Sequence, residues 1–211
     1  ILAGNFNMTN VKELFENLVE LGQHPKEMAD TVTVMEKIGH FLDDAVTDLY
    51  QDCKNEGLNK REASPVIAER LNVAKILRRA AKNLDGGYAM AGLLGHGDAF
   101  VFRDPAGIRP AYFYQDDEIV VVASERPVIQ TVFNVPFEKV HEIDPGAALI
   151  IKKNGTVSMQ EILPVSDGSP PPLMQVCLPH STVLSELPSQ PALLLLSPPH
   201  SLPFLLWNLS F

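Results

Sequence analysis

Three asparagines stand close together near the start of the sequence, in the segment Leu2-Ala3-Gly4-Asn5-Phe6-Asn7-Met8-Thr9-Asn10. Side-chain amides and the backbone N–H groups of a turn are both suitable donors to the negative oxygen of an acyl-transfer intermediate. We expect this segment to form a short turn that leads into a helix. The simpler interpretation is that Asn7 and Asn10 only shape the turn and cap the helix, and we favour it for Asn10. On its chemistry alone, Asn5 is a candidate oxyanion donor.

The other reactive residue types form no recognisable site in the sequence. Gly95 and Gly97 do not belong to a dinucleotide-binding Gly-x-Gly-x-x-Gly pattern, because Phe100 stands where the third glycine is needed. The six histidines and two cysteines show no spacing typical of metal ligands. Cys53 is expected to be a structural residue rather than a nucleophile, and the Glu125-Arg126 pair to be a solvated pair at a strand end.

Length and composition restrict the class of protein. With 211 residues, of which 45% are hydrophobic, the chain can bury the core of one domain. The net charge of −9 argues against nucleic-acid binding as the main function. The sequence has no apolar run long enough to span a membrane, and too few cysteines for a disulfide framework. We therefore expect a cytoplasmic protein with no nucleic-acid or membrane partner. Because the first residue is Ile1, we also expect a fragment or a processed piece.

The composition changes abruptly after Leu163. Residues 164–211 contain ten of the 17 prolines and only two charged residues, Asp167 and Glu186. Proline removes a backbone donor and restricts the residue before it, so this spacing disfavours helices and most strand ladders. We expect residues 1–163 to form the globular part and residues 164–211 to be a tail without a stable fold of its own.

The globular part divides into helices followed by strands. Helix starts are predicted at Asn10, with Glu13 three residues later, at Thr33 with Glu36, and at the Ser64-Pro65 pair. After Gly87 the hydrophobic period changes to two. The expected strands cover residues 88–94, 99–103, 111–114, 119–124, 147–152 and 156–162, with a hairpin at Asn154-Gly155. This order predicts an α+β fold with antiparallel sheets, and the nearly continuous apolar strands predict that both faces are covered.

Several motifs together resemble the class II glutamine amidotransferases. The segment Leu-Ala-x-Asn-x-Asn-Met-Thr-Asn is similar to the Leu-Ala-His-Asn-Gly-Asn-Leu-Thr-Asn block of that family. Further blocks follow in the family's order: Gly87-Tyr88-Ala89-Met90, Gly95-His96-Gly97, Phe102-Arg103-Asp104-Pro105-Ala106-Gly107-Ile108-Arg109-Pro110, Ala123-Ser124-Glu125 and Asp144-Pro145-Gly146. The Asp-Pro-x-Gly-Ile-Arg-Pro motif resembles the amidophosphoribosyltransferase branch, which uses glutamine and phosphoribosyl pyrophosphate in the committed step of purine synthesis. Asparagine synthetases are the alternative, but they carry lysine where Arg109 stands.

The resemblance implies an N-terminal-nucleophile hydrolase fold, a four-layer αββα sandwich with antiparallel sheets. It assigns the oxyanion role to the Asn5 side chain and the Phe6 backbone amide. The nucleophilic cysteine, and the arginine that clamps the substrate carboxylate, would precede Ile1, so we expect the isolated chain to be inactive. The implied partners are glutamine, a phosphoribosyltransferase domain outside the chain and further copies of the full-length protein. No cofactor is expected in this chain, and Mg²⁺ only in that other domain.

Two departures from the family motifs leave an alternative open. Phe6 replaces a glycine, and its side chain is expected to crowd the turn. The Ser-Asp-Ser-Glu motif, whose aspartate pairs with the substrate α-amine, is matched to Thr33-Val34-Met35-Glu36. Val34 cannot form that ion pair. The alternative is a non-catalytic or regulatory module with a weakened glutamine site.

Overall fold

The structure is a computed structural model, and it describes residues 1–166 together with the backbone of a strand at Leu193–Leu196. The helices are α1 (Val11–Glu20), α2 (Asp30–Asn55), α3 (Lys60–Arg70), α4 (Val73–Ala80) and α5 (Arg126–Phe133). The strands are β1 (Leu2–Met8), β2 (Gly86–Leu93), β3 (Ala99–Arg103), β4 (Tyr112–Gln115), β5 (Val120–Ala123), β6 (His141–Glu142), β7 (Ala147–Ile151), β8 (Val157–Glu161) and β9 (Leu193–Leu196).

The strands form two antiparallel sheets. The first sheet has the order β1-β2-β3-β7-β8, and the second has the order β6-β4-β5-β9. Strand β3 pairs with β7 and not with β4, because the loop after Arg103 carries the chain from the first sheet to the second. The prediction of antiparallel sheets is confirmed, although the hairpins are not all consecutive.

Three apolar layers hold the helices and sheets together. One lies between α1, α2, α4 and the first sheet, and includes Leu14, Val34, Leu77, Phe100 and Phe102. A second fills the space between the two sheets, and a third lies between the second sheet and α5. Strands β5 and β7 are buried along their whole length, as their apolar sequences predict. The expected αββα arrangement is confirmed.

The helix boundaries differ from those predicted. Helix α1 begins after Asn10 as expected, but the Asn10 side chain makes no capping hydrogen bond. Helix α2 begins at Asp30, one turn before the predicted start at Thr33, because Thr33 faces inward and is fully buried. A hydroxyl that points into the core cannot also fold back over a helix end.

The predicted third helix is two helices. Asn59 and Glu62 form a capping box that starts α3, which places Pro65 inside the helix rather than at its first position. Helix α3 ends at Arg70, and the Asn72 side chain accepts from the Lys75 amide to start α4. Both starts carry a cap that the Ser64-Pro65 signal does not reveal.

The strand predictions hold to within about two residues. Strand β3 coincides with the predicted residues 99–103, and the hairpin at Asn154-Gly155 joins β7 to β8. Helix α5 and the short strand β6 were not predicted. Helix α5 is only eight residues long, so its apolar face, with Ile129 buried, gives little periodic signal.

Most of the predicted tail lies outside the described residues. Its described part after residue 166 is β9, whose backbone pairs antiparallel with β5. Whether the remaining tail residues, Cys177 among them, lack a stable fold of their own stays a prediction. Within the described part of the chain, no helix is both long enough and apolar enough to cross a membrane.

Candidate functional site

The asparagine segment is a strand and not the predicted turn. Residues Leu2–Met8 form β1, which pairs with β2 so that Asn5 lies opposite Ala89 and Asn7 opposite Gly87. Strand β1 is the outermost strand of the first sheet and is partly exposed, so it can carry the polar residues Asn5 and Asn7. On an edge strand, polar side chains can reach solvent while the backbone still joins a ladder.

The hydrogen-bond pattern of β1 directs the Phe6 amide away from the sheet. Ile1 and Leu93 exchange two backbone hydrogen bonds, and the Thr9 amide donates to the Asp85 carbonyl. Residues at odd positions of β1 therefore bond to β2, and those at even positions point outward, because hydrogen-bonded and non-hydrogen-bonded pairs alternate in an antiparallel ladder. The Phe6 N–H is an outward donor at the free edge of the described sheet.

The side chain of Asn5 lies on the face that looks toward the second sheet. Its cross-strand partner Ala89 packs against the apolar layer between the sheets, and opposite residues in a ladder share a face. Asn5 is exposed, and within the described residues its side-chain amide makes no hydrogen bond. The Asn5 amide and the Phe6 N–H are thus free donors on adjacent residues, one on the face of the strand and one on its edge.

The Phe6 ring occupies the opposite face. It packs against the apolar layer between the helices and the first sheet, and is only partly exposed. The prediction that this side chain crowds a turn is therefore wrong, because the segment is a strand and the ring packs on the face opposite Asn5. Successive side chains of a strand alternate between its faces, so Phe6 and Asn5 cannot point the same way.

The end of β1 is tied to the loop between α4 and β2. Asn10 donates from Nδ2 to the Asn83 carbonyl at 2.7 Å and accepts from the Asp85 amide at 3.3 Å. The Thr9 hydroxyl donates to the Asp85 carboxylate. Lys37 of α2 reaches the same loop and donates to the Lys82 carbonyl. The prediction that Asn10 shapes a turn and caps the helix is wrong, because its amide group ties the end of β1 to this loop instead.

Asp30 is the carboxylate that the sequence analysis missed. It is the first residue of α2, and its Oδ2 accepts from the outward amide of Met8 at 2.9 Å. Val34, to which the family's aspartate was matched, is buried in the helical layer one turn later. Asp30 is half-buried, and its carboxylate lies beside β1 only two residues along from Phe6. Asp30 stands three residues before Thr33, the predicted start of α2, and that position was the sequence signal for this carboxylate.

The loop after β3 is held by the two residues that precede it. The fully buried Asp104 accepts from the amides of Ile108 at 2.9 Å and Arg109 at 3.0 Å. Arg103 donates to the Gly107 and Arg109 carbonyls at 3.0 and 2.7 Å. The Arg103 guanidinium also donates to Glu142 in the second sheet, so it joins the two sheets at this end.

This loop borders the asparagine segment. Ile108 packs on Gly87, where an added β-carbon would lie 2.8 Å from its Cγ2 atom, and Gly87 is the partner of Asn7. Tyr88, the next residue, is fully buried on the other face of the sheet. Burial is the main cause, and the nearby Asp104 charge the second, that raises the pKa of its phenol far above the usual range.

The remaining candidates have structural surroundings. Cys53 is a buried residue near the end of α2. Arg126 donates to the Phe137 and Val140 carbonyls and lies over the Phe137 ring, whereas Glu125 is exposed. Gly95 and Gly97 lie in the turn between β2 and β3. No group of three or more His, Cys, Asp or Glu side chains that could hold a metal ion occurs in residues 1–166.

Comparison with known proteins identifies the kind of region. The chain is 31% identical over 152 residues to an amidophosphoribosyltransferase of Methanothermobacter thermautotrophicus, an alignment that covers 72% of this chain and 26% of that protein. It is 27% identical over 166 residues to the Pasteurella multocida amidophosphoribosyltransferase. That alignment covers 76% of this chain and 29% of the P. multocida protein. The Saccharomyces cerevisiae amidophosphoribosyltransferase is 36% identical over 93 residues. That alignment covers 40% of this chain and 18% of the S. cerevisiae protein. The chain contains part of a glutamine amidotransferase-type region.

The fold agrees with this assignment. A solved structure of the B. subtilis glutamine phosphoribosylpyrophosphate amidotransferase, complexed with ADP and GMP, matches with a TM-score of 0.52 at 21% identity. That match covers 77% of this chain and 29% of the B. subtilis chain. No protein-family model matches the chain. The amidotransferase-type region thus spans between about a fifth and a third of the length of its curated relatives. These relatives do not favour the asparagine synthetase alternative.

Proposed function

We propose that this region supplies the oxyanion donors of a glutaminase site, in a protein that passes ammonia from glutamine to phosphoribosyl pyrophosphate. The observation that carries the proposal is the pair of free donors on β1, the exposed Asn5 side chain and the outward N–H of Phe6. An oxygen placed at the strand edge can accept from both. The curated relatives are named amidophosphoribosyltransferases, and these names support phosphoribosyl pyrophosphate as the acceptor of the ammonia.

The proposed chemistry is acyl transfer. A thiolate adds to the carboxamide carbon of glutamine, and the carbonyl oxygen takes the negative charge, which Asn5 and the Phe6 amide stabilise. The C–N bond then breaks, and ammonia leaves after its nitrogen has gained a proton. Water hydrolyses the thioester to give glutamate and regenerate the thiolate. Among the described residues the cysteine is Cys53, which is buried, so the thiolate has to come from another part of the protein.

Asp30 is the proposed partner of the substrate α-ammonium group. Its Oδ2 is engaged by the Met8 amide, and the half-exposed carboxylate retains further acceptor capacity beside the same strand edge. A carboxylate that is already oriented by a backbone amide can form a charge-assisted hydrogen bond without losing much further freedom. This assignment replaces Val34 and removes the main reason to expect a weakened glutamine site.

The proposal is tested on the full-length product of the gene. Glutamate release from glutamine is measured for the parent protein and for Asn5→Ala, which should lower kcat by about 10²–10³-fold because one oxyanion donor is lost. Asn7→Ala is the matched control, since Asn7 lies on the same face one pleat further along and is equally exposed. An Asn5→Ala protein that is folded and fully active would overturn the oxyanion assignment.

A second variant tests the substrate side. Asp30→Asn retains an acceptor for the Met8 amide but loses the negative charge, so KM for glutamine should rise by at least about tenfold, with a smaller change in kcat. If the parent protein uses free ammonia and releases no glutamate from glutamine, the region is the non-catalytic module instead.

A further inference from the structure

Arg109 is a partly buried arginine without a hydrogen-bond partner for its side chain among the described residues, whereas the other arginine without one, Arg61, is exposed. Five of the seven arginines donate from the guanidinium to a carboxylate or a carbonyl: Arg70, Arg78, Arg79, Arg103 and Arg126. Within residues 1–166 the Arg109 guanidinium has no such partner, and its Nε is buried. A buried donor without an acceptor is unfavourable, which indicates that a further group accepts from Arg109 in the complete protein.

The backbone that carries Arg109 is fixed in advance. Its amide donates to Asp104 and its carbonyl accepts from Arg103, and both of these side chains are buried. The loop therefore does not need to become ordered when it binds something. Such preorganisation lowers the entropy cost of association.

Ile108 gives the same loop an exposed apolar group. Its side chain is 42% exposed although it packs on Gly87. The neighbouring residues Ala106 and Pro110 are exposed as well. Arginine is enriched in the central part of protein interfaces, and the exposed Ile108 side chain adds apolar surface beside it.

The position of the loop indicates what would cover it. Ile108 lies on the partner of Asn7, so the exposed face of loop 105–110 adjoins the proposed amide site. Ammonia that escapes into water is protonated and lost as a nucleophile, so an ammonia acceptor has to close over the amide site. The curated relatives extend far beyond the aligned region, which covers 29% of their length or less. A domain of that size needs a contact surface on this one.

We infer that loop 105–110 is the docking surface for the ammonia-accepting domain of the same protein. An acidic side chain of that domain pairs with Arg109, and an apolar side chain packs on Ile108. This inference rests on the proposed function, because it takes the acceptor to be a second domain. A carboxylate is the expected partner because it can accept a charge-assisted hydrogen bond from the unpaired Arg109 guanidinium.

The test uses the full-length gene product and three activities. Arg109→Gln should lower glutamine-dependent transfer to phosphoribosyl pyrophosphate by about tenfold, whereas glutamate release and transfer from added ammonia stay within about twofold. Arg61→Gln is the control, since Arg61 is an exposed arginine on α3 whose side chain makes no described contact. A rise in KM for glutamine alone would assign Arg109 to the substrate. A parallel loss of all three activities, or no change in any, would also overturn docking.

A readout that does not depend on activity separates this inference from the proposed function. A photo-crosslinking amino acid at position 108 should form crosslinks to residues of the same chain outside the amidotransferase-type region. Crosslinks between two copies, or none, would overturn the docking surface. If the parent protein hydrolyses no glutamine but the crosslinks form within one chain, the glutaminase proposal fails while the docking surface stands.

Discussion

The ring of Phe6 lies over Gly4, two residues earlier on the same strand. A β-carbon on Gly4 would lie 3.0 Å from Cε2 of Phe6, and 2.5 Å from the Ala89 carbonyl oxygen of the neighbouring strand. In the family block that this segment resembles, histidine stands at the first of these positions and glycine at the second. The absence of a side chain at position 4 leaves room for the Phe6 ring and for the close approach of the β2 backbone.

Gly4→Ala should destabilise the protein. The added methyl group would meet backbone atoms of Ala89 and Met90, at 2.5 and 2.8 Å, and backbone cannot move aside cheaply. We expect the free energy of unfolding to fall by about 1–3 kcal/mol, measured by urea denaturation. Gly39→Ala is the control and should raise the free energy of unfolding. Gly39 lies within α2 with open space around it, and alanine is more favourable than glycine in a helix by about 1 kcal/mol. Equal stability of the two variants would contradict the close packing at Gly4.

Phe6→Ala should separate packing from catalysis. The ring packs against the helical layer, so its loss should lower the free energy of unfolding by about 1–3 kcal/mol, less than for a fully buried phenylalanine. The backbone N–H is retained, so kcat for glutamate release by the full-length protein should change by less than about threefold. A loss of kcat as large as that of Asn5→Ala, in a variant that remains folded, would show that the ring itself shapes the site.

Asp98 should make the free energy of unfolding fall as the pH is lowered through the acidic range. Burial raises the pKa of this carboxyl, but the hydrogen bonds from Lys152 and the Lys153 amide, together with the His96 ring 3.0 Å away, outweigh burial and hold the pKa below 3.8. Because the folded pKa is depressed, the stabilisation is present above the unfolded value and is lost as pH falls through the folded one. Asp98→Asn should lower the free energy of unfolding by about 2–3 kcal/mol at pH 7 and lose less on acidification.

The measurement is a series of urea denaturation curves from pH 7 down to about pH 3. Asp117→Asn is the control, because Asp117 is an exposed carboxylate and its removal should leave the acid dependence unchanged. If the parent protein and Asp98→Asn lost stability in parallel, the Asp98 contacts would have no role in it.

Lys37 should make stability rise with pH in the alkaline range, in the same direction as Asp98 does in the acidic range. Burial lowers the pKa of this amine from 10.5 to about 8, although the nearby Glu13 raises it. Between these two values the unfolded chain binds more protons than the folded one, so stability rises with pH across that window. Lys37→Met should remove the rise, as measured by denaturation at pH 7.5, 9 and 10.5. An unchanged slope in Lys37→Met would assign the effect to other groups.

The sequence by itself determined the kind of fold and the identity of the oxyanion candidates. The change of hydrophobic period after Gly87 and the uninterrupted apolar strands predicted helices packed on doubly covered antiparallel sheets, which is the observed arrangement. These features are local and repetitive, so short windows of sequence contain them. The ordered series of motifs was sufficient to indicate the amidotransferase family.

Only the tertiary structure decided how the candidates are presented. The asparagine segment is a strand because β2 is available to pair with it, and seven residues do not reveal that Asn5 pairs with Ala89, 84 residues further along the chain. The same pairing separates Phe6 from Asn5 and turns the Phe6 amide outward. Asp30 becomes the carboxylate beside the site because Thr33 and Val34 are buried, which moves the start of α2 back by one turn. Such long-range contacts depend on which surfaces meet in the folded chain, and no local pattern encodes them.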